Sequence, residues 1–388
     1  MTTRTLARRN FIRLLGGGAV LAAAPSLTAC VGGMPEAATE PWRAADESDL
    51  RRHMLANALL APNPHNRQPW LADLRRAGEI TLVCDGERLL PETDPFGRQI
   101  LIGCGAFIEL AVIAAAERGV AVEVLAFPDG APTADRLPAG STVARLVLKG
   151  SASATRDPLF AQIRRRHTNK LIYDNTRSVA PERWAEFSAT ATSFGLLAGD
   201  ITDASRVAAV RGLTRASYEI ESTTARTWLE SARLLRIGAG EIAEHRDGIS
   251  VPGTVPTLLS KAGLFDRFEV PAPGSGNFRQ VMDRWTAFET GSGYFWIASR
   301  GNTRSHQLAV GRAWVRVHLQ ATAAGIDMHP LSQALQEFAE VAAPRRDLHA
   351  LLGFDGGATT LQMLARVGYG VATATPSPRR PLAQLIRG

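Results

Sequence analysis

The sequence predicts an α+β fold in which two related lobes share one chain, each a β-sheet packed by helices. Three observations carry this reading. "GAFIELAVIAAAERGVAVEV" from Gly105 and "GRAWVRVHLQATAAGIDMHP" from Gly311 are apolar helical patterns that reach a second glycine after the same interval, Gly119 and Gly325, followed by Val120 and Ile326. A strand-like run precedes each, "ITLVCD" and "GYFWIAS", and another follows, "VAVEVLAF" and "LQMLARVGYG". Both helices are apolar almost all round, which places them at the centre of the molecule. Arg98 and Arg304 stand at equal distances before the two first glycines, so one strand-helix-strand unit is read as used twice.

In chain order, residues 1–29 read as an export signal. Arg8 and Arg9 open a weakly apolar Gly/Ala-rich stretch that is too short and too poor in large side chains to span a membrane. Arg8 to Arg13 has the form of a twin-arginine signal, which hands folded chains to the twin-arginine export machinery and sends them to the periplasm or cell envelope. "LTAC", Leu27 to Cys30, has the form of a lipobox, making Cys30 a lipidation site and a membrane anchor; cleavage after a small residue is the other reading. Residues 30–48 then form a tether, 49–150 the first lobe and 151–388 the second. Long polar helices follow the start of the second lobe, and the Pro/Gly-rich segment 250–278 has the length and irregularity of a lid.

Composition excludes several classes. The formal charge of +7 falls to +3 once the four arginines of the signal are removed, which gives no argument for nucleic acid. Lys149, Lys170 and Lys261 are the only lysines, so the high isoelectric point reflects arginine usage. Cys84 and Cys104 carry no spacing signature, and a disulfide and two buried thiols are both open. The chain contains no H-E-x-x-H, C-x-x-C, G-x-S-x-G or P-loop pattern, so the familiar metal, hydrolase and nucleotide sites are absent and no metal is expected.

Two segments stand out. In "RRRHTNKLIYD", Arg166, Thr168 and Lys170 alternate, so an extended chain turns two cations and a hydroxyl to one side, as a phosphate site requires. "APNPHNRQPW", residues 61–70, cannot continue the preceding helix, because proline removes a donor and clashes with the turn before it.

These segments carry a resemblance. "RHTNKLIYD" is similar to the R-x-S-x-[RK] segment of the flavin-binding nitroreductase family, and "APNPHNRQPW" to its A-P-S-x-x-N-x-Q-P-W segment. "HPLSQ" resembles its flavin-flanking loop, and "LARVGYGVATATPSPRRPLAQLI" its closing strand and basic tail. In most of the family the first two motifs stand close together and two subunits share two flavins. Here each lobe keeps only one of them, as in the Acg-like branch, so the resemblance implies a nitroreductase-like fold, a fused pseudo-dimer and one composite FMN site in a monomer.

Residue by residue, the resemblance implies that Arg166 and Thr168 take the phosphate or ribityl oxygens with Arg379 and Arg380, and that Lys170 lies near the pyrimidine edge as a flavin-tuning cation. It implies that Pro62, Asn63, Pro64 and Asn66 approach the ring from one lobe, and Pro330, Leu331 and Ser332 from the other. Trp70 is expected in the core. The expected activity is oxidoreduction between a small-molecule electron donor and acceptor, with no protein general acid required; the alternative is an FMN-sequestering flavoprotein closed by its lid.

Overall fold

A computed structural model describes residues 33–43, 47–133, 135–354 and 357–387. The export signal and Cys30 lie outside the described residues.

The first lobe runs α1 (Leu50–Ala58), β1 (Trp70–Asp73), β2 (Glu79–Cys84), α2 (Arg98–Glu117), β3 (Val120–Ala126) and β4 (Thr142–Ser153). The second opens with α3 (Pro181–Thr192) and β5 (Leu197–Ile201). An insertion follows: α4 (Ala204–Thr223), α5 (Ala225–Arg233), β6 (Leu235–Ile237), α6 (Gly238–His245), β7 (Ile249–Val251), α7 (Thr254–Lys261) and α8 (Gly276–Trp285). The lobe closes with β8 (Gly293–Arg300), α9 (Arg304–Ala323), β9 (Asp327–Pro330), α10 (Ala342–Leu351) and β10 (Thr359–Gly368), and the chain ends with β11 (Ile386–Arg387).

The two main sheets have the same plan. One is ordered β11-β1-β2-β4-β3 and the other β5-β8-β10-β9. Leaving out β11, each runs antiparallel throughout with a central helix inserted between its second and third strands in sequence. The repeat read from the sequence is therefore present, with one correction. The strand that directly follows α9 is β9, the counterpart of β3, whereas "LQMLARVGYG" forms β10, the counterpart of β4. Asp327–Pro330 is short and carries a proline, which hid it from a pattern search.

The central helices α2 and α9 pack on each other, and glycines make the approach possible. A Cβ on Gly105 would stand 2.2 Å from the Leu308 carbonyl oxygen, and one on Gly311 would stand 1.9 Å from that of Ile102. The contact is reciprocal, as at the interface of a symmetric dimer, although both helices belong to one chain. Arg98 and Arg304 are both buried at the starts of these helices and each crosses to the other lobe. Arg98 donates to the carbonyls of Leu335 and Gln362, and Arg304 to those of Phe96 and Thr133. Although α2 is long and apolar enough to cross a membrane, 83% of its most apolar window is buried, and it is a core helix. Cys84 and Cys104 are free, fully buried thiols, and the hydrogen bond between them together with burial raises the Cys104 pKa.

The last strand departs from the two-lobe division. After β10 the chain crosses back, and β11 pairs in parallel with β1 at the edge of the first sheet. On the way, Arg379 donates its backbone N–H to Ala38, and Trp42 donates its indole N–H to Ser377. Residues 36–42, expected to belong to a tether, are thus helical and bury Ala38 and Trp42. The expected lid segment holds one short helix, α7, and the start of α8 with an irregular stretch between them, and it exposes Val255, Leu258, Leu264 and Phe268.

Candidate functional site

The two motifs meet across the lobes. The loop after α1 is forced out of helix by its prolines and takes up a strained path: His65, Asn66 and Gln68 all have positive φ, at 46°, 50° and 51°. Asparagine tolerates this region, but it disfavours histidine and glutamine, and such residues cluster at functional sites. The loop holds itself by side-chain bonds. Asn63 Oδ1 accepts from the Gln68 backbone at 2.7 Å, and fully buried Gln68 donates to the Arg246 carbonyl and accepts from the Arg380 backbone. The insertion grips it from outside: Gly248 donates to the Asn66 carbonyl, and Asp247 lies 2.7 Å from both Arg88 and Arg236 and 3.6 Å from Arg67.

The segment before α3 alternates as expected. His167 and Asn169 both turn to Asp327 at the start of β9, at 3.2 Å each. Arg166 turns the other way and donates to the Leu60 carbonyl of the first lobe at 2.9 Å. From the C-terminal tail, Arg379 donates to the same carbonyl at 3.1 Å and to Asn66 Oδ1 at 2.7 Å. Both guanidiniums lie over Trp42, 5.7 Å and 5.0 Å from its ring.

What distinguishes this pair is the absence of an acid. Among the described residues neither Arg166 nor Arg379 has a carboxylate within ion-pair distance, though both are 2% exposed. Arg166 Nε and Nη1 and Arg379 Nε are buried with no hydrogen-bond acceptor among the described residues. Burial lowers the Arg166 pKa to about 10, and burial together with the Arg166 charge lowers that of Arg379 well below the arginine range. Two buried like charges with unsatisfied donors are unstable by themselves and fit an anion such as phosphate. Arg380 does not join them: its guanidinium donates to the carbonyls of Gln68 and Gln384 and lies 3.9 Å from Asp85.

The other expected residues surround this pair unevenly. Lys170 is exposed, yet protein crowds it enough to lower its ammonium pKa; burial depresses His65 and His329, and the Lys170 charge adds to this in both. It therefore stands between the loop and β9. Pro62, Pro64, Thr168, Pro330 and Ser332 are half-buried. Asn63 is taken up by the loop's own bonds, and Asn66 holds the tail by donating to the Pro378 carbonyl at 3.0 Å. Leu331 packs into the core beneath β10. Trp70 is fully buried against Phe107, as expected for a core residue.

Sequence reading missed two participants. Trp42 lay in the expected tether and had no motif. Glu221 lies near the end of α4, 7% exposed, with Oε1 3.9 Å from His65 Nε2. Burial raises its pKa to about 7 and lowers that of His65 to about 4. An isolated acid in a polar helix gives no sequence signal of such a contact. Two open clefts, of about 410 Å³ between α2, α3 and α9 and of about 390 Å³ between α1 and the end of α2, share no residue with this cluster.

Comparisons with known proteins find similar sequences and folds. Over 346 residues, 88% of this chain and 92% of the relative, it is 26% identical to the Mycobacterium tuberculosis H37Rv protein named "Putative NAD(P)H nitroreductase Rv3131". It is also 26% identical over 349 residues, 87% and 96% of the two chains, to that organism's "Putative NAD(P)H nitroreductase acg". No protein-family model matches the chain. Among solved structures, the FMN-dependent nitroreductase NfnB from Mycobacterium smegmatis, in complex with NADPH, is similar at a TM-score of 0.37 and 18% identity, covering 58% of this chain and 96% of that one. NfnB from Sphigopyxis sp. strain HMH, an FMN- and NADPH-dependent nitroreductase, gives 0.38 and 16%, covering 60% and 99%. These are loose superpositions on part of the chain.

Proposed function

The chain is a relative of the Acg-like NAD(P)H nitroreductases, and from that premise we propose that it binds one FMN between its lobes and uses it for oxidoreduction. The observation that carries this reading is the Arg166–Arg379 pair, buried from two distant parts of the chain with donors that no protein group accepts. A flavin phosphate satisfies those donors, and Trp42 covers the guanidiniums from behind. When bound, FMN supplies two-electron transfer chemistry. The chain's own residues hold and tune it. Lys170 places a cation between the loop and β9, where it would favour negative charge developing on a reduced ring. Pro62, Pro64, Thr168, Pro330 and Ser332 shape the walls, while Asn66 fixes Arg379 rather than reaching the ring itself.

The electron donor belongs to the nicotinamide class and the acceptor is a small molecule. The absorption spectrum of purified protein tests both parts. A flavin band equal to one FMN per chain, bleached by NADPH under nitrogen, is expected; colourless protein from flavin-supplemented cells overturns the reading. The grip of Asp247 and Gly248 on the loop favours a second reading, a sequestered flavin closed off by the insertion. A flavin that dithionite reduces and NADPH does not would decide for it. We further propose twin-arginine export to the cell envelope with Cys30 lipidated, which the mass of the mature N-terminus tests.

A further inference from the structure

His65, Glu221 and Ser231 bring three separate elements to one point. His65 Nε2 lies 3.9 Å from Glu221 Oε1 of α4 and 3.5 Å from Ser231 Oγ of α5. Among the described residues His65 Nδ1 and Glu221 Oε2 are buried with no hydrogen-bond partner, as are the amide oxygens of Gln333 and Gln336, which closely follow Ser332 in the chain. Such a cluster is costly. A carboxylate in the last turn of a helix opposes the helix dipole, and burial removes its water. No guanidinium is paired with Glu221 among the described residues, whereas buried Glu109 and Asp247 each have at least two.

The arrangement suits a group kept protonated. Burial, and after it repulsion from Glu230 of α5, raises the Glu221 pKa, while the Gln336 and Gln333 amides lower it less. From its own helix Tyr218 faces it, stacked on Trp285 of α8. On the loop side Lys170 and Arg67 hold His65 neutral, after burial as the main cause. Below about pH 7 a neutral acid beside a neutral imidazole results, with Lys170 near enough to His65 for its charge to act on it.

We propose that Glu221, positioned by His65, is the proton donor to the small molecule reduced in this site. The inference rests on the oxidoreductase reading above. A two-electron reduction adds one hydride equivalent, which comes from the nicotinamide-class donor, and one proton. The proton leaves the Glu221 carboxyl, its O–H bond breaks with the electron pair staying on oxygen, and a new bond to hydrogen forms on the reduced acceptor. Solvent returns the proton to the carboxylate at the end of the cycle.

Infrared spectroscopy of the protein without flavin tests the acid directly. A protonated-carboxyl band that disappears as pH rises through about 7 is expected, absent from Glu221→Gln and present in Glu219→Gln, whose side chain is exposed on the same helix. In the flavin-loaded protein, reduction of a quinone acceptor by Glu221→Gln is expected to fall about 100-fold, typical for a general acid, and to lose its decline at high pH. His65→Asn is expected to move that decline upward. An unchanged band in Glu221→Gln, or an unchanged pH profile in both variants, overturns the proposal. A protein that binds no flavin but keeps the titrating band sinks the oxidoreductase reading instead.

Discussion

At the scale of single residues, the candidate site is built from groups that the folded chain alone does not satisfy. Arg166 is buried against the Leu60 carbonyl with two donors unused, which stabilises nothing until an anion arrives. Arg166→Ala is expected to weaken FMN binding by about 1.5–3 kcal/mol, the range for a charge-assisted hydrogen bond, read by quenching of flavin fluorescence. Arg166→Met carries the same logic further: replacing an unpaired buried charge with an apolar side chain is expected to stabilise the flavin-free protein by about 1 kcal/mol or more while binding is lost. A melting temperature that falls in that variant would mean Arg166 is structural. Arg380, next to Arg379 in sequence, is bound up with Gln68 and Asp85, and its loss should act mainly on the loop.

Among elements, the contact between α2 and α9 sets the distance between lobes. Gly105→Ala and Gly311→Ala each push a methyl against a backbone carbonyl, which no rotamer change relieves, so each is expected to destabilise the protein by roughly 1–3 kcal/mol in urea unfolding. Gly212→Ala, exposed in mid α4 with no atom within 4 Å of the new methyl, is the control and should stabilise by about 0.5–1 kcal/mol. The central helices were legible in the sequence because their apolar pattern and paired glycines are local and periodic. The alternation of Arg166 and its neighbours was legible for the same reason, a two-residue period. The exchange of β9 for β10 was not, since a four-residue strand with a proline gives no period. Trp42 and Glu221 stayed hidden because their roles exist only through contacts with Arg379 and His65 far along the chain. Asn66 was found by its motif, but that its side chain serves Arg379 is knowable only from the crossing of the tail.

For the whole molecule, pH dependence combines two opposed slopes. His65 titrates near 6.5 unfolded and about 4 folded, so the stability it contributes is complete above about 6.5 and is lost as pH falls towards 4. Glu221 titrates near 4.5 unfolded and about 7 folded; its contribution is complete below about 4.5 and is lost as pH rises towards 7. Between about 4.5 and 6.5 the two slopes oppose each other and stability should be nearly flat. Glu221→Gln is expected to gain on the native protein steadily across that interval, and His65→Asn to gain on it as pH falls, both followed by thermal unfolding. Parallel melting curves for all three proteins at every pH would show that the pair does not titrate on unfolding.

The returning tail has a consequence for how the protein is made. Residues 379–387 leave the ribosome after the strands β1 to β10 and both central helices, and they carry Arg379 and the strand that pairs with β1 at the edge of the first sheet. The Arg166–Arg379 pair therefore forms only after both lobes have been made, and on the reading proposed above a flavin can be held there only once the tail has returned. A clipped or frameshifted C-terminus would leave two well-formed lobes and a colourless protein.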